Sequence, residues 1–111
     1  MGIFKDFAFG RLLTRLTNIM VEIEQTRYTR PIGAGGGIDS IPIHRQQIFA
    51  KDMGALNKWP RHEVTRELCK NYLLAERMGR PERMQAIGNL LDLLIEKGIA
   101  LPMEDFEKSY L

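Results

Sequence analysis

The sequence has a single cysteine and no long hydrophobic run. Because Cys69 has no second cysteine to pair with, the chain cannot form an internal disulfide. A transmembrane helix needs about 18 or more consecutive apolar residues, and no segment of the sequence provides them. Arg11 and Arg15 interrupt the apolar N-terminal stretch, which argues against a secretory signal. These absences favour a cytoplasmic protein, or a component of an assembly formed in the cytoplasm.

The net charge of the chain is also small, although its charged residues are unevenly distributed along the sequence. Sixteen Lys and Arg against fourteen Asp and Glu give a formal net charge of +2, far from the basic excess of a nucleic-acid specialist. Residues 1–80 carry thirteen basic and eight acidic side chains, whereas residues 81–111 carry three basic and six acidic ones. This asymmetry is typical of a chain that attracts an anionic partner or another copy of itself, or of an ordinary solvated surface.

Three motifs approach those of catalytic or ligand-binding sites, but each lacks a necessary residue. The segment from His62 begins like the zinc-protease motif HExxH, but Arg66 stands where the second histidine ligand is needed. The glycine-rich segment lacks the third glycine of a dinucleotide fingerprint, since Ile38 occupies that position. His62 lies about 10 Å along the helix axis from Cys69, too far for proton transfer. We therefore predict no enzyme activity, no catalytic or metal-binding residues and no cofactor.

The strongest pattern is a heptad spacing near the N-terminus. Apolar residues recur there at intervals of three and four, and form a seam of Phe9, Leu12, Leu16, Ile19 and Ile23. The seam predicts one amphipathic helix from about Ile3 to Arg27, which would be about 37 Å long. Pro31 disfavours helical geometry in the residue before it, so the helix is expected to end by Arg30.

Glycines dominate the next segment and predict a hinge or linker. They are Gly33, Gly35, Gly36 and Gly37. This linker, residues 31–41, divides the chain into an N-terminal helical arm, residues 1–30, and a helical body, residues 42–111. Residues 38–43 fit a short extended segment, but the helical spacing that follows favours a helix capped by Ser40 with Pro42 in its first turn.

The body is predicted to end in an antiparallel helical hairpin. Gly79 and Gly98 occupy the positions that a left-handed residue takes after a helix C-terminus, and the turn at Gly79 is short. A short last helix is expected after the hairpin, with a buried side formed by Met103, Phe106 and Tyr110. The fold class is therefore all-α with four to five helices.

The leading functional hypothesis is a non-enzymatic interaction or assembly protein. A body of 70 residues can cover only part of so long a helix, so the seam is expected to bind a protein partner or a second copy, which gives a homo-oligomer. Small components of larger particles, such as a virion or a secretion assembly, have this general character.

Two alternatives stay open. A basic region could serve a nucleic-acid-binding accessory or regulatory protein, and its candidate anion-binding residues are Arg27, Arg30, Arg45, Lys51 and Arg61. The segment from Ala75 to Gly79 matches the centre of a helix-turn-helix, but the apolar residues that follow are out of step with that motif. Phe4 and Phe7, near the start of the first helix, would suit peripheral membrane contact.

Overall fold

A computed structural model of the chain describes the backbone of residues 2–29 and 38–105 and the side chains of residues 7–26, 38 and 40–105. Within these residues the fold is all-α and contains no strand, as the periodicity predicts. A short 3-10 helix, Ile38–Ser40, precedes the second of four α-helices. The α-helices are α1 (Gly2–Thr29), α2 (Ile43–Leu56), α3 (Arg61–Arg77) and α4 (Pro81–Glu96).

The chain divides into two compact units, residues 1–55 and 56–111. In this division α2 groups with α1, whereas the sequence predicts a boundary after residue 41. Two ion pairs join α2 to α1 within the first unit: Arg45 bonds Glu22, and Arg15 bonds Asp52. Seven residues forward along α2 correspond to seven residues backward along α1, so the two helices run antiparallel.

The carboxylate of Asp52 is the central polar group of the first unit. Asp52 is only 2% exposed, yet both of its oxygens are bonded. Arg15 donates from Nε to Oδ2 at 2.9 Å and from Nη2 to Oδ1 at 2.6 Å, which is a bidentate contact. Because an unpaired buried carboxylate would be strongly unfavourable, this contact holds α2 against α1.

The heptad seam of α1 lies in the core of a single chain. Its exposed fractions are 7%, 8%, 0%, 1% and 4% for Phe9, Leu12, Leu16, Ile19 and Ile23. The expectation that these side chains form an exposed strip for a partner is therefore wrong. α2 pairs with α1 and adds its own buried Phe49 and Met53 to the first unit. A partner could reach the seam only if the chain opened.

The start of α2 also differs from the prediction. The hydroxyl of Ser40 lies 2.5 Å from the hydroxyl of Thr26 on α1. The carbonyl of Pro42 accepts the amides of Arg45 and Gln46, so Pro42 immediately precedes the helix and does not lie in its first turn. Ser40 thus joins the 3-10 helix to α1.

The second unit contains the predicted hairpin of α3 and α4. Gly79 has a φ of 64°, and the amide of Arg80 donates to the carbonyl of Ala75 at 2.9 Å. Gly98 has a φ of 75°, and the following Ile99 is buried. Both glycines therefore take the left-handed conformation that ends a helix, which confirms the sequence prediction.

The core of the second unit lies between α3 and α4. Its buried apolar residues include Val64, Leu68, Ile87, Leu90 and Leu94. After α4 the chain turns, and a helical turn begins at residue 103, as predicted. Met103, predicted for the buried side of that last helix, is instead 40% exposed. Phe106 and Tyr110, predicted for the same side, lie outside the described residues.

The Arg15–Asp52 contact can be tested by its loss. Arg15→Met is expected to lower the free energy of unfolding by about 3 kcal/mol, because it leaves the Asp52 carboxylate buried without a partner. The double variant Arg15→Met/Asp52→Leu should recover most of that loss. Urea denaturation followed by circular dichroism measures both, with Arg45→Met as the control that breaks the more exposed pair and should have a smaller effect. Equal losses for Arg15→Met and Arg45→Met would contradict this role of Asp52.

Two glycines of the second unit should respond oppositely to the same substitution. Gly79→Ala is expected to reduce stability by about 1 kcal/mol, because alanine resists the left-handed conformation. Gly88→Ala should raise stability by up to about 1 kcal/mol through helix propensity, since the nearest atom to the added Cβ would be Tyr72 Cε2 at 4.0 Å. The midpoint of thermal unfolding of the two variants measures the difference. A shift of this midpoint in the same direction for both variants would contradict the left-handed conformation of Gly79 and the helical position of Gly88.

Candidate protein-interaction groove

Most of the predicted functional residues other than the seam lie outside the described side chains or apart from one another. The predicted hinge glycines, Gly33, Gly35, Gly36 and Gly37, and the predicted anion ligand Arg30 fall outside the described residues, as does the side chain of Arg27. Of the remaining anion candidates, Arg45 bonds Glu22, which raises the pKa of the Arg45 guanidinium further above its ordinary value. Arg45 is therefore committed to holding α2 on α1.

Lys51 and Arg61 are exposed, but they belong to different compact units. On α2, Lys51 follows Arg45 by six residues, which places the two cations about 120° apart around the helix. The described part of the first unit therefore does not gather these cations into one anion site. Nucleic-acid binding stays a prediction, and no contact described for these residues favours it.

The side chain of Phe7, which was predicted to support membrane contact, is 65% exposed. The guanidinium carbon of Arg11 lies 5.8 Å from the centroid of its ring, within the range of a cation–π contact. The side chain of Phe4 lies outside the described residues. No helix in the described part of the chain combines the length and apolar character needed to cross a bilayer.

The most distinctive surface feature of the described residues is an apolar groove on the second unit, between α3 and α4. We call it the α3–α4 groove. It encloses about 440 Å³ and is lined almost entirely by apolar atoms. Its lining residues are Leu68, Cys69, Tyr72, Leu73, Ile87, Gly88, Leu91, Asp92 and Met103.

A glycine on α4 opens the floor of this groove. A Cβ at Gly88 would lie 4.0 Å from Tyr72 Cε2, so the tyrosine ring of α3 lies over the bare backbone of α4. A larger residue at this position would occupy space that belongs to the groove. The contact also shows the register of the hairpin, in which Tyr72 opposes Gly88 across the antiparallel pair.

Leucine and tyrosine side chains form the exposed edge of the groove on α3. Leu73 is 60% exposed and Tyr72 is 38% exposed, although both are large. The adjacent Leu74, on another side of α3, is 52% exposed but is not a lining residue. α3 therefore presents apolar side chains outside the stripe that builds its own core, which is a sign of an interaction surface.

The groove continues toward the hairpin turn as a more polar depression of about 400 Å³. The two share Tyr72, Gly88 and Asp92, and Pro81 lines the far end. In this polar part Gln85 donates to Asn89 at 3.3 Å. From Pro81 to Asp92 the combined channel follows about 16 Å of α4, the length of about three helical turns.

A buried threonine positions the wall of the groove at the end far from the Gly79 turn. Thr65 on α3 is fully buried, and its hydroxyl donates to the carbonyl of Leu101 at 2.7 Å and accepts the Leu101 amide at 2.8 Å. This double contact fixes the segment after α4 against α3. Met103, two residues later, thereby lines the groove, with its sulfur 3.7 Å from the sulfur of Cys69.

Acidic side chains flank the groove. Asp92 lines it directly, and Glu96 follows one turn later on the exposed side of α4. Glu104 and Asp105 are exposed immediately after Met103. Asp92 gives the lining one carboxylate, and its exposed neighbours Glu96, Glu104 and Asp105, with Lys97 beside Glu96, leave this rim with a net negative charge above an apolar floor.

The described lining of the groove contains one thiol, that of Cys69, and one carboxylate, that of Asp92. Among the described residues no group of three or more His, Cys, Asp and Glu side chains is arranged to hold a metal ion. Cys69 is half-buried, and burial raises the pKa of its thiol above the ordinary value. A raised pKa leaves less thiolate near neutral pH, which is the reverse of an activated nucleophile.

Sequence reasoning missed this site because apolar spacing on α3 does not show which of its leucines the hairpin leaves exposed. Adjacency does not reveal this exposure, since Leu12 and Leu13 of α1 are also adjacent and both are buried. The roles of Gly88 and Met103 depend on contacts between segments distant in the sequence, which periodicity does not report.

The reactivity of Cys69 should report its burial in the groove wall. Near neutral pH, the folded chain is expected to react with a disulfide reagent such as DTNB more slowly than the urea-unfolded chain. The rate should rise with pH through a midpoint above that of the unfolded thiol, because burial raises the pKa in the folded state. A midpoint at or below the unfolded one would show that the thiol is solvated.

Similarity to known proteins does not identify what binds in the α3–α4 groove. Comparison of the chain with family models, with curated proteins and with solved structures gives no match. What the groove can bind therefore follows from its shape, its apolar floor and its acidic rim.

Proposed function

We propose that this chain is a non-enzymatic protein–protein interaction module that binds the apolar face of a helix in the α3–α4 groove. The observation that carries the proposal is the nearly all-apolar lining of the groove together with the exposure of Leu73 at its edge. Open apolar grooves of this kind mark interaction or ligand sites on protein surfaces. The proposal keeps the interaction class inferred from the sequence and moves the surface from α1 to the second unit.

The shape of the groove favours a helix as its occupant. Two antiparallel helices bound it, and its channel extends about 16 Å along α4. That length accommodates about three turns of an amphipathic helix, whose anchors recur at every third or fourth residue. A small molecule would leave much of this length uncovered.

The charge of the rim adds a second requirement. Asp92 and Glu96 on α4, with Glu104 and Asp105 beyond Met103, favour a partner with basic residues beside its apolar face. Charge complementarity of this kind contributes orientation and association rate more than affinity. The expected partner is therefore a helix with an apolar stripe and lysine or arginine on its flank.

A synthetic helix tests this proposal directly. A fluorescent peptide of about three turns, with leucines at every third or fourth position and flanking lysines, is expected to bind with a Kd on the order of 10 µM. Fluorescence anisotropy measures the affinity. Leu73→Asp should weaken binding at least tenfold, whereas Leu74→Asp, the same change on another side of α3, should preserve it.

A second peptide controls for charge. A peptide with the same leucines and with glutamates in place of lysines should bind more weakly, because the rim is acidic. Failure of the basic peptide to bind the intact chain would sink the proposal, as would equal binding by the Leu73→Asp and Leu74→Asp variants.

A further inference from the structure

We infer that the helix bound by the α3–α4 groove is α3 of a second copy of this chain. The two copies form a twofold dimer in which Leu73 of each enters the groove of the other. The inference rests on the proposed function, whose partner it names.

The outer face of α3 has the features that the groove requires of its occupant. Lys70, Leu73 and Arg77 are spaced by three and four residues, which places them on one face of the helix. Leu73 is 60% exposed, and the side chain of Lys70 is 66% exposed. Lys70 contacts Glu67 at 3.4 Å, an exposed pair weak enough to exchange for another. An exposed leucine between two cations complements an apolar floor with an acidic rim.

The position of Leu73 makes the contact reciprocal. Leu73 lines the groove of its own chain and is also exposed at the edge, so one patch supplies both the site and the occupant. Such a self-complementary patch is the condition for a twofold interface. A twofold axis parallel to the groove places α3 of one copy against α4 of the other. Because α3 and α4 are antiparallel within the hairpin, these two helices also meet antiparallel.

Opposite charges match in this arrangement. Tyr72 opposes Gly88 in the antiparallel hairpin, so Lys70, two residues before Tyr72, lies level with position 90 of α4. Asp92 is two residues further along α4, about 3 Å along the helix axis. Rotation about an axis along the groove keeps each residue at its level. Lys70 of one copy therefore faces Asp92 of the other, and this pair occurs twice in the dimer.

The dimer is expected to be weak. Leu73 and its neighbours form a small apolar contact, and exposed ion pairs add little affinity. A Kd on the order of 10–100 µM follows, so the intact chain should shift from monomer to dimer over that concentration range in sedimentation equilibrium. Leu73→Asp should remain monomeric, and Ile43→Asp, the same kind of change at an exposed position of α2, should dimerise like the unchanged chain. Both substitutions are at exposed positions, and circular dichroism verifies that both variants are folded.

A charge exchange tests the register. In a dimer of the Asp92→Lys variant, Lys70 of each copy faces a second lysine. In a dimer of the Lys70→Glu variant, Asp92 of each copy faces a second acid. Each variant alone should therefore dimerise at least tenfold more weakly than the unchanged chain. A mixture of the two variants restores opposite charges at both contacts of a mixed dimer. In an equal mixture, native mass spectrometry should therefore detect the mixed dimer at well above twice the amount of either homodimer, the ratio that pairing without preference gives. Absence of that excess would overturn the proposed arrangement.

The remaining outcomes separate this inference from the proposed function. If the intact chain stays monomeric above about 100 µM but binds the basic peptide, self-association is refuted and the groove remains an interaction site. If only a chain ending at Asp105 dimerises, residues 106–111 occupy the groove and the second-copy inference is overturned. If the chain dimerises and Leu73→Asp has no effect, the dimer uses another surface and the inference fails. If the chain neither dimerises nor binds the peptide, both proposals fall.

Discussion

The reversal of the chain at Gly79 is the constraint on which the second unit depends. Only residues 78–80 separate α3 from α4, and a connection this short requires Gly79 to take a φ of 64°. A residue with a side chain would take this conformation at a penalty of about 1 kcal/mol or more. The turn returns α4 alongside α3 and opposes Tyr72 to Gly88. The α3–α4 groove and its charged rim follow from that register.

In the single chain, the apolar side chains of the groove are only partly buried, so part of their hydrophobic contribution to stability is not realised. Fully burying a leucine contributes about 1.5–3 kcal/mol, and Leu73 is 60% exposed, so more than half of its contribution is not realised. Gly88 prevents α4 from covering the ring of Tyr72, and Thr65 holds Met103 beside the groove and keeps that wall in place. A partner that covers these side chains gains this contribution without reorganising the core.

Local patterns in the sequence predict the helices well and their partners poorly. Spacings of three and four indicate α1 and α4, and the glycines after α3 and α4 predict the two left-handed turns, because each signal depends on neighbouring residues. The grouping of α2 with α1 depends on the carboxylate of Asp52, which meets Arg15 from 37 positions away. Hydrophobic periodicity cannot report such a contact, since a buried aspartate and an exposed one look alike in a sequence. The groove was missed for the same reason.

An apolar stripe on a helix does not reveal whether its partner is in the same chain, but its charged neighbours help to decide. Beside the seam of α1, Arg15 bonds the buried Asp52 of α2, so both the charge and the apolar face are satisfied within one unit. Beside Leu73, the cation of Lys70 is exposed, and Asp92 lies across the groove at nearly the same level of the hairpin. One chain cannot lay the outer face of α3 over its own α4. A second copy can, and this asymmetry favours α3 over α1 as the surface that meets a partner.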